Sequence, residues 1–226
     1  MHVPVVTIDG PSGSGKGTIS RAVARHAGWH LLDSGALYRL VALSGLERGV
    51  AEQDVAGHAD VARRMKVAFG TRRDGTERVT LEGRDVTAEL RSEVAGAGAS
   101  RVAAWPEVRS ALLERQKAFV QAPGLVADGR DMGTVVFPQA DLKIYLTASA
   151  DERAARRYKQ LKDKGSAVSL AGLSREIAER DLRDTTRAVA PLKPAPDAHV
   201  IDSTGLSIGQ VVEQVLGLGR SRSLWP

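Results

Sequence analysis

"VPVVTIDGPSGSGKGTISRAVARHAG", residues 3–28, decides the fold. Val3 to Ile8 is a β-branched run that stops at Asp9, Gly10 and Pro11, the pattern of a buried strand feeding a loop. Ile19, Ala22, Val23 and Ala27 then keep helical spacing, and Gly28 supplies the stop. Between strand and helix, Gly10, Gly15 and Lys16 have the spacing of a phosphate-binding loop made of Gly10, Pro11, Ser12, Gly13, Ser14, Gly15, Lys16, Gly17 and Thr18. Glycines let successive N–H groups turn onto phosphate oxygens, the helix N-terminus adds partial positive charge, and Lys16 reaches the outer phosphates. The hydroxyl that the general pattern places directly after the lysine is displaced by Gly17 to Thr18. A glycine-rich turn that binds nothing is the alternative, and the flanking strand and helix argue against it.

Working outward, "WHLLD" (29–33) predicts a second strand, and "SGALYRLVALSGLERGV" (34–50) a second helix capped by Asp33 or Ser34. From about 50 to 102 the alternation breaks. A charged helical stretch precedes "KVAFGT" (66–71) and "RVTLEG" (78–83), and Asp74-Gly75 between them is a hairpin signal. "RSEVAGAGASRVAAW" (91–105), rich in Gly and Ala, is expected to be loose. Pro106 occupies a first helical position before "EVRSALLERQKAFV" (107–120), and "QAPG" (121–124) ends that helix. Three more core strands are predicted, at the start of "LVADGRDMGTVVFP" (125–138), at "LKIYL" (142–146) and at "HVID" (199–202). The charged stretch 149–187 reads as two helices broken at Gly165, and "GRSRSLWP" (219–226) as a loose tail. Strands alternating with helices predict an α/β fold with a parallel sheet covered on both faces, whose ligands bind at the carboxyl ends of strands. Asp9, Asp33, Asp128 and Asp202 each fall at such an end.

The composition, 42% apolar and 26% charged over 226 residues, suits one folded unit with a lobe or two. A net charge of +5 invites acidic partners, but acids and bases are interspersed, and Trp, Tyr and Phe occur only three times each. Phosphate therefore fits better than a nucleic-acid track, which calls for base-stacking aromatics. No cysteine is present, so no disulfide framework is needed and the cytoplasm is the expected compartment. No basic leader or bilayer-length apolar run occurs, so neither secretion by that route nor a membrane span is expected.

The Lys-Gly-Thr variant of the loop resembles that of nucleoside monophosphate kinases, and no Asn/Thr-Lys-x-Asp guanine motif points to a GTPase. "LLDSGALYR" (31–39), "VADGRDMGTVVFP" (126–138) and "ERDLRDTTRAVAPL" (179–192) together resemble the bacterial cytidylate kinases, from the first strand to about Ser207. The resemblance implies a P-loop NTPase core with a parallel sheet flanked by helices, a small antiparallel NMP-binding insertion and a helical lid. The expected limits are core at about 1–49, 103–150 and 188–219, insertion at about 50–102 and lid at about 151–187. It further implies phosphoryl transfer from ATP, with Mg²⁺, to CMP and dCMP in pyrimidine nucleotide metabolism, by a monomer that engages neither nucleic acid nor membrane.

A monophosphate acceptor needs its phosphate clamped, its base read and its sugar held. Guanidinium matches phosphate oxygens bidentately, so Arg39 and Arg130 suit the first task, and the resemblance adds Arg187. Cytosine shows an amino donor beside ring acceptors, and by the resemblance Asp131, Arg109 and Ser34 read it. Arg180, Asp184 and Arg187 fall at i, i+4 and i+7, on one predicted helix face. The resemblance gives Arg180 and Asp184, with Ser100, to the ribose; taken alone, Arg180 and Asp184 are equally an exposed ion pair, and Ser34 equally an N-cap. Arg153 and Arg157, within one turn of "SADERAARRYKQLKDKG" (149–165), are the arginines expected over the transferred phosphate, joining Lys16, Arg130 and Arg187. Thr18 and Asp128 are the expected holders of Mg²⁺, directly or through water. An adenylate kinase carries Asp-Gly-Phe-Pro-Arg where this chain has "DGRDMG", and a shikimate-type kinase has no need of the insertion or of Asp184.

Overall fold

The computed structural model describes residues 2–72, 76–163, 165 and 167–225. The hairpin signal Asp74-Gly75 lies outside them. The chain divides into two compact units, Met1–Asp33 with Lys117–Pro226, and Ser34–Gln116.

The first unit holds β1 (Val5–Asp9), α1 (Lys16–Ala27) and β2 (His30–Asp33) before the second unit begins. α1 ends at Gly28, whose φ of 67° is the left-handed stop expected of glycine there. The second unit contains α2 (Ser34–Glu47), α3 (Val55–Arg64), β3 (Val67–Thr71), β4 (Glu77–Leu81), β5 (Arg84–Asp85) and a short 3₁₀ turn (Glu89–Arg91). α4 (Glu93–Val102) and α5, which starts at Pro106 and runs to Lys117, complete it. Back in the first unit come β6 (Leu125–Gly129), a π-helical turn (Met132–Val136), β7 (Leu142–Thr147), α6 (Ala150–Lys162), α7 (Leu170–Thr186), β8 (His199–Asp202) and α8 (Ile208–Arg220).

Five strands make a parallel sheet in the order β2-β6-β1-β7-β8, as the βα alternation requires. Its register sets Asp9 opposite Gly129 and Tyr145, Asp33 opposite Asp128, and Asp202 opposite Thr147, so the acidic strand ends share one edge. The central strands β1 and β6 are buried at every position, which fits their unbroken apolar runs. Beneath them Val6, Ile8, Ile19, Val23, Val126 and Ile144 pack with Val211 and Val215 of α8.

In the second unit β3, β4 and β5 form the antiparallel sheet expected from the two strand signals, with β5 unanticipated. The unit is wider than the stretch 50–102, because α2 packs on α3 and α4. The Gly/Ala stretch 91–105 is not loose. It forms α4, capped by Ser92 accepting from the Ala95 N–H, and a Cβ at Gly98 would come within 2.8 Å of the Ala42 Cβ on α2. Small residues there are the condition for close helix packing, not a sign of its absence.

The tail is also not loose. Trp225 is buried, its Nε1 donates to the Leu216 carbonyl at 3.0 Å, and its ring meets Trp29 edge-on with centroids 5.4 Å apart. No helix among the described residues is long and apolar enough to cross a membrane.

Candidate active site

The loop between β1 and α1 is shaped by its glycines. Gly10 has φ 151°, and a Cβ there would fall 2.0 Å from the Leu146 carbonyl oxygen on β7. Gly13 and Gly15 have φ of 79° and 95°. Lys16 folds back so that Nζ donates to the Pro11 carbonyl at 2.8 Å, and Ser14 Oγ donates to the same carbonyl at 3.1 Å. The Ser12 carbonyl accepts from Arg153 Nη1 at 3.1 Å and the Ser14 carbonyl from Arg156 Nη1 at 3.4 Å. In a trans peptide the following N–H points the opposite way, so these anchors aim the N–H groups of Gly13 and Gly15 as an anion cradle needs. Thr18 is exposed on the first turn of α1. The Asp128 Oδ2 lies 3.2 Å from where a Gly17 Cβ would be, beside that turn.

Charge is concentrated beside the loop. Burial lowers Lys16, with Arg130 and Arg180 adding to it against Asp128 and Asp9, to about 7. Burial likewise pushes Asp9 up to about 7, against two N–H donors that hold it down. At the end of β6, Arg130 Nε donates to Asp184 Oδ2 at 3.0 Å. Burial works against the Arg130 charge, but Asp184, Asp128 and Asp9 overcome it and hold the guanidinium firmly protonated. Asp184 shows the mirror case: burial raises its pKa, yet Arg130, Arg180 and Arg187 outweigh it and keep the carboxyl below its usual value. Arg187 Nη2 lies 3.8 Å from Asp131 Oδ1, both side chains being buried.

The structure thus brings together Lys16, Asp128, Arg130, Asp131, Arg180, Asp184 and Arg187 in the first unit. Arg187 departs from the expected helix face: α7 ends at Thr186, and Arg187 is the capping residue beyond it with extended backbone. Arg180 does lie on α7, and its Nη1 donates to Ser12 Oγ at 3.3 Å. Arg153 is buried, paired through both terminal nitrogens to Asp181 at 3.0 and 2.5 Å, with Nε on the Ala148 carbonyl at 3.0 Å. Arg157, half-buried, donates to Gln160 at 2.8 Å.

The second unit carries the remaining expected residues. Ser34 is buried at the start of α2, its Oγ donating to Gln116 Oε1 at 3.2 Å. Arg109 is buried over the Tyr38 ring, 5.9 Å from its centroid, and Nη1 donates to the Ala103 carbonyl at 3.3 Å. Arg39 is half-buried on α2, and Ser100 is buried on α4.

Sequence reasoning passed over Arg156, Asp181 and Ser203. Arg156 joins the loop to the turn after β8, donating to Ser203 Oγ at 3.0 Å and to the Ser203 carbonyl at 2.7 Å. Only position in the run "RAARR" marked Arg156, and nothing in sequence couples Asp181 to an arginine 28 residues away.

The cytidylate kinase family model matches residues 6–221. A cytidylate kinase of Stutzerimonas stutzeri is 60% identical over 223 residues, covering 98% of this chain and 97% of the relative. One of Bordetella bronchiseptica is 59% identical over 218 residues, 96% of each chain, and one of Pseudomonas aeruginosa 58% over 216 residues, 95% of this chain and 94% of the relative. A solved shikimate kinase of Acinetobacter baumannii overlaps 99% of this chain and 96% of its own at 18% identity and a TM-score of 0.45, too low to bear on the site.

Proposed function

The chain belongs to the cytidylate kinase family and transfers the γ-phosphoryl group of ATP to CMP, and from that premise we propose that dCMP is also an acceptor and that Mg²⁺ accompanies the ATP. The setting we assign is pyrimidine nucleotide supply in the cytoplasm, by a monomer with no nucleic-acid or membrane partner. One observation supports the assignment of residues best: the register. Asp9, which leads into the donor loop, lies opposite Gly129, which leads into Arg130 and Asp131, so the two motifs leave neighbouring strands at one edge.

In this reading the loop from Gly10 to Thr18 holds the donor phosphates, and Lys16 exchanges the Pro11 carbonyl for a phosphate oxygen. Arg39, Arg130 and Arg187 bind the acceptor phosphate; Ser34, Arg109 and Asp131 read cytosine; Ser100, Arg180 and Asp184 take the ribose. Arg153 and Arg157 act on the transferring group, and Arg153 does so by trading Asp181 or the Ser12 carbonyl for a phosphate oxygen. A phosphomonoester with second pKa about 6 is already mostly ionised near neutrality, so the attacking oxygen needs no general base. Positioning and charge stabilisation carry the rate.

Hard oxygen donors suit Mg²⁺, and the Thr18 hydroxyl and the Asp128 carboxylate, close beside Gly17, are such donors. Among the described residues no group of three or more His, Cys, Asp or Glu forms a metal cage. When bound, Mg²⁺ neutralises charge on the donor phosphates.

ADP release measured with ATP and Mg²⁺ against CMP, dCMP, UMP, AMP and shikimate tests the reading. Turnover with CMP and dCMP well above the others is expected. A preference for AMP or shikimate would leave the cradle intact and remove Asp131, Arg109 and Ser34 from base recognition.

A further inference from the structure

We propose that Asp9 is a positioning residue for the acceptor: its buried carboxylate fixes the turn that carries Arg130 and Asp131, linking that turn to the foot of the donor loop. The proposal rests on the assignment of Arg130 and Asp131 to the acceptor.

Asp9 is 5% exposed at the last position of β1, immediately before Gly10. Its Oδ1 accepts from the Met132 N–H and its Oδ2 from the Gly133 N–H, each at 2.8 Å. These are the first N–H groups of the π-helical turn Met132–Val136, which a helix of that kind leaves without internal acceptors. The later N–H groups of Val135 and Val136 go instead to the Asp131 carbonyl, at 2.9 and 3.2 Å. Asp131 itself, at φ −149° and ψ 25°, lies outside helical geometry and makes no side-chain cap. A carboxylate 123 positions earlier in the chain supplies the cap that its own neighbour does not.

The dipeptide Arg130–Asp131 is therefore bracketed by two attachments to one residue. Before it, Gly129 is the sheet partner of Asp9; after it, Met132 and Gly133 are bound by the Asp9 side chain. Gly133 lets the turn sit this close to the sheet, since a Cβ there would meet Thr7 Oγ1 at 2.8 Å and Lys143 Cδ at 3.2 Å. An ionised carboxylate accepts on both oxygens, whereas the amide of Asn would accept one N–H and turn its own donor toward the other.

The test compares Asp9→Asn, Gly133→Ala and the double variant in steady-state kinetics with CMP varied, together with ATP binding by calorimetry and thermal melting. Asp9→Asn is expected to lower kcat/KM for CMP by about ten- to a hundredfold while the ATP Kd stays within about twofold. Gly133→Ala, which lifts the same turn, should show the same selective loss, and the double variant should fall short of the product of the two. Equal losses toward CMP and ATP, or no loss in either substitution, would overturn the tether. Should Asp9→Asn fail to fold, Gly133→Ala decides alone, and wild-type CMP kinetics in it would count against the proposal. Arg130→Ala and Asp131→Asn run alongside: if both spare CMP kinetics, the acceptor assignment itself has failed, and the tether falls with it.

Discussion

Lys16 shows how the site spends stability on charge. Its ammonium is buried, and burial together with Arg130 and Arg180 draws it down to about 7. Donor phosphates would oppose all three influences and raise it again. Binding is then linked to protonation: below about 7 the lysine is already charged, and above that the charge must be acquired on binding, so ATP affinity falls as pH rises. Calorimetry at a pH about one unit above the Lys16 value, in buffers of differing ionisation enthalpy, should read uptake of a fraction of a proton. Lys16→Met should reduce the uptake, leaving the part due to Asp9, which burial also holds at about 7, and uptake unchanged by the substitution would place the proton elsewhere. The sequence revealed Lys16 through motif spacing alone. It could not reveal that Arg130 pairs with Asp184, because the spacing of Arg180 and Asp184 on α7 suggested a pair within the helix, and the pairing observed runs across 54 residues.

At the scale of elements, periodicity exposed strands and helices whose apolar residues are large, and failed where packing uses small ones. α4 has the sequence "EVAGAGASRV", in which no stripe of bulky side chains marks a face, yet it packs on α2 with Gly98 set against Ala42. Gly98→Val would insert three carbons where a single Cβ already comes within 2.8 Å of Ala42. The expected cost is about 1–3 kcal/mol, partly offset by the better helix propensity of valine over glycine. A urea melt reads it, and stability equal to wild type would mean that α4 can move off α2 without penalty. α8 is legible by the same rule yet was not anticipated: Ser207 and Gln210 form a reciprocal capping box at its start, and Val211, Val215 and Leu216 keep helical spacing. β5, only two residues long, carries no pattern at all.

Over the whole chain, the order of motifs was legible because each βα crossover leaves a strand run, a turn and a helix in sequence. The extent of the second unit was not, since its outer helices α2 and α5 read like any other helices of an α/β core. The carboxyl-terminal segment was likewise opaque: "GRSRSLWP" has Leu224 and Trp225 as its large apolar side chains, and its place depends on a contact with Trp29 some two hundred residues earlier. Gly219 makes that contact possible, for a Cβ there would come within 1.8 Å of the Trp225 ring. Trp225 then closes the base of the core beside Val211, Val215 and Leu216, on elements that contribute no residue to the assigned site. Trp225→Ala removes its area, its edge-on contact with Trp29 and its N–H bond to Leu216 together. The expected loss is about 3–5 kcal/mol of folding stability. CMP and ATP KM values should stay within about twofold at a temperature where the variant is folded, since Trp225 packs against the core and α8 rather than against the phosphate loop or the β6 turn. A variant that melts like wild type would show that the tail is held by Leu224 and the backbone alone; a selective rise in either KM would show that strain at this end of α8 reaches the strand ends through β7 and β8.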